Sequence, residues 1–137
     1  MISSPPPPQS LVTIALQAPR TELRVQVART EAQRERGLMS VHHLAPHTGM
    51  LFVFDADAPV AFWMKDTLIP LDMVFVAPDG TVRKIFARVP VVSPHLADMD
   101  IPLEEGKAKF VIELPSGEAA QDGLRAGTRV EGLPNTQ

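Results

Sequence analysis

A series of short apolar segments, separated by turns that contain proline or glycine, constrains the fold of this chain most strongly. In segment 22–28, apolar Leu23, Val25 and Val27 occupy every second position, and a period of two is typical of a strand with one solvent-facing side. Residues 55–59 are predicted to form a turn between two such segments. The pattern predicts about seven or eight strands, drawn from segments 11–16, 22–28, 49–54, 60–65, 71–77, 81–89, 109–114 and 128–133.

Only two short helices are predicted. Thr30 is a suitable N-cap, Gln33 completes a capping box, and Gly37 permits a left-handed exit from the first helix. Ser116 is predicted to cap a second short helix that runs to Leu124. Because strands outnumber helices, a doubly wound α/β sheet is not expected. We therefore predict a mainly β fold, either a single-domain β-sandwich or a partly open barrel.

The length of 137 residues fits one domain. Residues 1–10 contain four consecutive prolines, which a helix or a central strand does not accommodate, and are predicted to form a disordered proline-rich tether. Residues 11–133 are predicted to form the β-rich domain, and residues 134–137 a short C-terminal tail. Because the tether resembles the spacer that often follows a removed signal peptide, we expect an exported protein, for example a periplasmic one, with a cytoplasmic protein as the alternative.

Composition argues against several classes of function. The 13 basic and 16 acidic residues give a formal charge of −3, whereas a nucleic-acid binder needs a basic surface, so no nucleic-acid partner is predicted. The apolar runs are too short to span a bilayer. Cysteine is absent, which excludes disulfides, thiolate catalysis and cysteine-ligated metals. The basic residues between Arg20 and Arg36 alternate with acidic ones, which is typical of a solvated mixed-charge face.

The segment around the only tryptophan contains the best candidate site. We predict a cleft that binds a small polar ligand, such as a sugar or a carboxylate-bearing molecule, and that is lined by Trp63, Lys65, Asp66, Thr67 and Asp72. A hairpin between two strands would bring Lys65 close to Asp72, and Trp63 would supply apolar area. In the alternative interpretation, Lys65 and Asp72 form a structural ion pair and Trp63 fills one end of a barrel.

Glu113 is a second candidate, because it is a carboxylate within an apolar segment. It could accept backbone amides, which would lower its pKa and make it structural, or it could face the same cleft as a ligand-binding group. An enzymatic alternative makes Asp72 or Glu113 the general base of a hydrolase, with Lys65 stabilising negative charge. A third alternative is a protein-interaction module with an exposed apolar patch near Leu68 and Ile69.

The histidines give only a weak indication of a metal site. His43 and His47 lie four residues apart, which would place them on one face of a helix, but Pro46 argues against a continuous helix there. The methionines lie among apolar residues, where core packing explains them better than copper binding does. We therefore predict neither a metal site nor a cofactor.

Several motifs also occur in a defined order along the chain, namely Arg36-Gly37-Leu38-Met39, GMLFVF at 49–54, FWMK at 62–65, Thr67, Pro70-Leu71-Asp72, and Glu113-Leu114-Pro115 followed by Gly117. Over residues 23–130 this series resembles the bacterial and archaeal domain-of-unknown-function family 192. That family usually has Asn at the position of Asp66, so a group that donates and accepts hydrogen bonds is replaced by one that only accepts. The resemblance implies a β-rich, sandwich-like domain that is often exported, and it implies no established activity.

Overall fold

Six strands form one mixed sheet in the computed structural model, which describes residues 11–135. The strands are β1 (Thr13–Gln17), β2 (Glu22–Ala28), β3 (Thr48–Phe62), β4 (Leu71–Val76), β5 (Val82–Val89) and β6 (Glu104–Pro115), in the spatial order β1-β2-β3-β6-β4-β5. The helices are α1 (Glu31–Arg36) and α2 (Glu118–Gln121), with a 3-10 turn at Asp98–Asp100. The predicted tether 1–10 and the last two residues of the predicted tail lie outside the described residues.

The connection from β2 to β3 is the one that makes the sheet mixed. These two strands pair in parallel, with Val25 opposite Gly49, and helix α1 lies in the chain between them. The other strand pairs of the sheet are antiparallel. Strands β1 and β5 lie at the two edges, so the described part of the sheet is open and is not closed into a barrel. The prediction of a mainly β single domain with two short helices is confirmed.

The predicted turn at residues 55–59 is wrong, because the chain continues there as one long strand. Strand β3 pairs with β6 on both sides of a register shift between Val53 and Ala58. The shift disrupts the ladder, and the Lys109 ammonium donates to the carbonyl oxygens of Phe54 at 2.6 Å and Asp55 at 2.9 Å. A buried lysine thus satisfies backbone groups that a regular ladder would have paired.

The last predicted strand, at residues 128–133, forms only two isolated bridges, Gln17 with Glu131 and Thr81 with Arg129. Together with the merging of two predicted segments into β3, this accounts for six strands in place of eight. Helix α1 matches its prediction, since Thr30 and Gln33 form the capping box. Helix α2 is shorter than predicted and has Gly117, not Ser116, at its N-cap.

Both faces of the sheet are covered, so the core has two parts. The first face is packed mainly by aliphatic side chains, including those of Leu16, Leu23, Val25, Leu51, Val74, Phe110, Ile112, Leu114 and Leu124. The second face has more aromatic residues and methionines, and its buried side chains include Leu38, Met50, Phe52, Met64, Met73, Phe75 and Val111. Strand β4 is buried along its whole length, as expected for a strand between two packed layers.

Candidate functional site

A pocket of about 320 Å³ opens on the second face, between helix α1 and the C-terminal part of β3. Its lining residues come from α1 and the turn after it, from β3, from the loop after β3, and from β6. They are Glu31, Arg34, Glu35, Arg36, Gly37, Leu38, Met39, Phe52, Phe54, Ala61, Phe62, Trp63, Thr67 and Glu113. A cavity of this size falls at the lower end of the range seen for small-molecule sites.

The bend in β3 forms the aromatic wall of this pocket. Ten residues of extended strand span roughly 33 Å, yet the rings of Phe52 and Phe62 lie 4.9 Å apart between centroids, edge to face. The Phe62 ring also packs edge to face against the rings of Phe54 and Phe75, with centroid distances of 6.0 Å and 5.8 Å. The register shift that the sequence analysis took for a turn therefore folds β3 back over the second face and encloses the pocket.

Glu113 provides a carboxyl group within this aromatic surface. It stands opposite Met50 on β3 and Met73 on β4, and it is 4% exposed. Burial raises the pKa of Glu113 to about 8, and the negative charge of Glu104 adds to the increase. Glu113 is therefore mostly protonated at neutral pH, and its carboxylic acid can both donate and accept a hydrogen bond.

Two glycines allow close packing at the pocket, one against the backbone of Glu113 and one against the ring of Phe52. A Cβ atom on Gly49 would lie 1.9 Å from the carbonyl oxygen of Glu113, so no larger residue fits between β3 and β6. Gly37 follows α1 with φ +48°, and a Cβ atom there would lie 3.2 Å from the Phe52 ring. Both glycines belong to the motifs quoted above, and each has a steric reason to be glycine.

Trp63 and Thr67 line the pocket together with Glu113, so the structure brings three of the six predicted site residues together. Lys65 does not line it. The Lys65 ammonium lies 2.9 Å from Asp98 Oδ2, which raises the pKa of Lys65, and 5.3 Å from the centroid of the Trp63 ring. Lys65 and Asp72 therefore neither line a cleft together nor form the ion pair of the alternative interpretation, because Lys65 pairs with Asp98 in the 3-10 turn.

Asp66 is exposed and lies beside the pocket instead of in its lining. Its φ of 54° places it in the left-handed region, and its carbonyl oxygen accepts the backbone N–H of Ser40 at 2.9 Å. Asn and Asp are the non-glycine residues that tolerate this backbone conformation best. The family that the sequence resembles usually has Asn at this position. The presence of Asp66 here in place of Asn therefore preserves the turn.

Asp72 lies on the other face of the sheet and is fully buried. Its carboxylate accepts three backbone N–H groups, from Arg88 at 2.8 Å, Gly117 at 2.9 Å and Ala119 at 2.8 Å. This is the amide-accepting role that the sequence analysis offered for Glu113. Asp72 fixes the start of α2 and does not line the pocket.

Helix α1 contributes to the pocket, which was not predicted from the sequence. Arg34 and Arg36, expected on a solvated mixed-charge surface, both line the pocket. The Arg34 guanidinium donates to the Val53 carbonyl oxygen at 3.1 Å and lies 5.2 Å from the centroid of the Phe54 ring. The sequence signal that could have indicated this was the presence of Arg36 in the Arg36-Gly37-Leu38-Met39 motif, with Arg34 two residues before it.

Comparison with protein families gives one decisive match. The family model DUF192, described as an uncharacterized ACR, matches residues 12–132, which is nearly the whole chain. The chain belongs to the DUF192 family. Of the motif residues that carry the resemblance, Gly37, Phe62, Trp63, Thr67 and Glu113 line the pocket, whereas Lys65 and Asp72 do not. No curated protein matches the chain.

Two solved structures are similar over most of their length. One, from Sinorhizobium meliloti 1021, is described as a "putative transcription regulator"; it is 33% identical, has a TM-score of 0.82, and the match covers 92% of this chain and 98% of that one. The other is a protein of unknown function from Novosphingobium aromaticivorans DSM 12444, 29% identical with a TM-score of 0.74, over 89% of this chain and 85% of that one. Within residues 11–135, no helix is long and apolar enough to cross a membrane.

Proposed function

We propose that this DUF192 domain binds a small carboxylate-bearing molecule with an apolar or aromatic body in the pocket on the second face. The observation that carries the proposal is the buried carboxyl group of Glu113 in an aromatic-walled pocket of about 320 Å³. Binding pockets typically combine apolar walls with a few polar groups that orient the ligand. The rings of Phe52, Phe54, Phe62 and Trp63 supply the walls.

The polar groups lie in two parts of the pocket, its buried interior and the side formed by helix α1. Glu113 lies among the buried side chains, where its neutral acid can exchange hydrogen bonds with a hydroxyl, carbonyl or amide group of the ligand. Arg34 and Arg36 come from α1, and Arg36 is exposed. A guanidinium group binds a carboxylate through paired hydrogen bonds, so we assign the charged end of the ligand to the α1 side.

This arrangement favours a carboxylate over a sugar. A sugar has polar groups around its whole ring, whereas the described pocket offers aromatic surface on one side and its charged groups on another. We assign Lys65 and Asp66 to the margin of the site, where they would contact a longer ligand, because the Lys65 ammonium lies 5.3 Å from the centroid of the Trp63 ring. Asp72 has no part in this proposal, because its oxygens accept backbone N–H groups on the other face.

A fragment screen by ¹H–¹⁵N NMR tests the proposal. Small aromatic carboxylates are compared with their uncharged primary amides and with monosaccharides, using wild type, Glu113→Met and the control Glu105→Met, an exposed glutamate on the same strand. Methionine removes both the donor and the acceptor of the acid, so we expect the carboxylates to shift the Trp63 indole and Gly37 amide signals, with affinity at least fivefold weaker in Glu113→Met and unchanged in Glu105→Met. Shifts confined to other regions, or equal affinity in both variants, would contradict the proposal.

A second candidate function is acid–base catalysis by Glu113. A pKa of about 8 lies near neutral pH, where a carboxyl group transfers protons most effectively, and shifted carboxyl groups in pockets are typical of catalytic sites. In a hydrolase of this kind Arg34 or Arg36 would stabilise negative charge, since Lys65 pairs with Asp98. Hydrolysis of an ester or amide panel that Glu113→Gln abolishes, while binding persists, would favour the enzyme.

The remaining predictions about partners and location stay proposals. Exposed apolar side chains occur at Leu68 and in the 3-10 turn, where Met99 is 91% exposed, and a protein partner is the third candidate for this surface. One related structure is described as a "putative transcription regulator", but the formal charge of −3 here does not favour binding to nucleic acid. Export to the periplasm remains the proposed location, with the cytoplasm as the alternative.

A further inference from the structure

We infer that His47, Glu118 and Asp122 form a binding site for a divalent transition-metal ion of the Zn²⁺ type, beside helix α2 and separate from the pocket. One ligand atom from each of the three side chains lies within 4.8 Å of the other two. His47 Nδ1 is 3.0 Å from Asp122 Oδ1 and 3.9 Å from Glu118 Oε1. Ligands of a tetrahedral zinc ion are about 3.4 Å apart, so small side-chain movements suffice.

The backbone holds the three side chains in position. Glu118 begins α2 and Asp122 follows its last residue, so the two lie four residues apart on one face. The backbone N–H of His47 donates to Glu118 Oε1 at 2.5 Å, and its carbonyl oxygen accepts the N–H of Arg24 at 2.9 Å. His47 has a φ of 63°, and these two hydrogen bonds hold its backbone, while its imidazole Nδ1 lies 3.0 Å from Asp122 Oδ1.

The second, independent observation is that the two carboxylates have unpartnered oxygens in the protein interior. Asp122 is 1% and Glu118 5% exposed, and Asp122 Oδ2 and Glu118 Oε2 are buried without a hydrogen-bond partner among residues 11–135. Such groups are costly to bury unless a ligand or a proton satisfies them.

The charges around the cluster also favour a cation. Glu118 and Asp122 are both buried, and each offers a carboxylate oxygen within 4.8 Å of the other. Among the described residues, His47 is the only basic side chain within ion-pair distance of either carboxylate. Either a metal ion or a proton shared by the two carboxyl groups would relieve the repulsion between them. Titration with Zn²⁺ distinguishes these two possibilities.

The donor set indicates the type of metal. One imidazole nitrogen and two carboxylate oxygens suit Zn²⁺ or a similar transition-metal ion, whereas Mg²⁺ and Ca²⁺ prefer oxygen ligands alone. Three protein ligands leave a fourth position open for water or a bound molecule. The sequence analysis predicted no metal, because it considered His47 only together with His43 and not with the Glu118–Asp122 pair.

Isothermal titration of the untagged full chain with Zn²⁺ tests the site. His47→Gly removes the imidazole and keeps a residue that accepts a positive φ, while His43→Gly is the matched control at an exposed histidine. We expect one Zn²⁺ per chain, at least tenfold weaker binding in His47→Gly, and binding within twofold of wild type in His43→Gly. Glu118→Gln should also weaken binding at least tenfold, provided that its circular dichroism matches wild type.

Thermal unfolding gives a readout that is independent of the calorimetric titration. Saturating Zn²⁺ should also raise the melting temperature of the wild type by more than 5 °C. The absence of Zn²⁺ binding in the wild type, or equal affinity in His47→Gly, would overturn the inference and leave the shared proton as the explanation.

Discussion

Asp72 and Glu113 lie on opposite faces of the sheet, although their strands β4 and β6 are hydrogen-bonded neighbours. Met73 stands opposite Glu113, whereas Asp72 stands opposite Leu114. Asp72 therefore accepts backbone N–H groups on the first face, while Glu113 faces the aromatic pocket on the second. The two carboxyl groups therefore have separate roles, and a different outcome is expected when each is replaced.

Replacement of Asp72 should destabilise the domain without affecting the pocket. In Asp72→Asn one oxygen becomes an N–H₂ group, so at least one of the three backbone N–H groups loses its acceptor. Each buried unsatisfied donor costs about 1–3 kcal/mol. Urea denaturation should show a loss of at least roughly 2 kcal/mol in the free energy of unfolding, while the exposed control Asp100→Asn stays close to wild type. Loss of ligand binding in a folded Asp72→Asn protein would contradict this assignment.

Gly49→Ala should be among the most destabilising single-methyl additions to the domain. Its Cβ would lie 1.9 Å from the Glu113 carbonyl oxygen, which belongs to a central strand and cannot move freely. We expect the free energy of unfolding to fall by about 3 kcal/mol or more, which is at the upper end of the cost of overpacking a core. Gly127→Ala serves as the comparison, because its added Cβ meets nothing within 4 Å and only its positive φ is strained. Similar losses in the two variants would show that β3 and β6 can separate.

The free energy of unfolding should fall as the pH rises from about 5 to 8, in part because of Glu113. Its pKa is about 8 in the folded protein against an ordinary value of 4.5, so the folded state binds the proton more tightly. The stabilisation is complete below pH 4.5 and is lost as the pH rises through 8. Glu104, Glu118 and Asp122 have raised pKa values and contribute with the same sign.

The Glu113→Gln variant isolates this contribution. Its pH slope should be shallower than that of wild type by up to about 1.4 kcal/mol per pH unit over this range. Thermal or urea unfolding at several pH values measures the slope, with Glu105→Gln as the matched control. Identical slopes in wild type and Glu113→Gln would mean that Glu113 is ionised in the folded protein.

Lys109→Met should loosen the bend of β3 and, through it, the pocket wall. The Lys109 ammonium binds the carbonyl oxygens of Phe54 and Asp55, and methionine leaves both without that donor. We expect a loss of roughly 2–4 kcal/mol in the free energy of unfolding. Lys107→Met, at an exposed lysine of the same strand, should change it by less than about 0.5 kcal/mol. The Phe62 ring signals in NMR spectra should shift in the first variant only.

Features that depend on neighbouring residues were predictable from the sequence. The capping box of Thr30 and Gln33 is formed by side chains three residues apart, and its pattern indicated α1 correctly. The alternation in β2 likewise gave the right strand and the right buried positions. The mainly β class follows from many such local patterns.

Features that depend on contacts between distant residues were not predictable. The bend in β3 depends on Lys109, more than fifty residues further along the chain, so residues 55–59 resemble a turn when they are read alone. The faces of Asp72 and Glu113 depend on the register of β4 and β6, in which a shift of one residue reverses every side chain. The sequence thus indicated Trp63, Thr67 and Glu113, which line the pocket, but grouped Lys65, Asp66 and Asp72 with them, which do not.

The most direct test of this account is the titration of the Glu113 carboxyl group itself. The ¹³C chemical shift of its side-chain carboxyl carbon, assigned by comparison with Glu113→Gln, is followed by NMR from pH 4 to 10. We predict a midpoint close to the pKa of about 8 that burial produces, with the midpoint moving when an aromatic carboxylate binds in the pocket. A midpoint near 4.5 would show an ionised, solvated side chain and would contradict the proposed pocket.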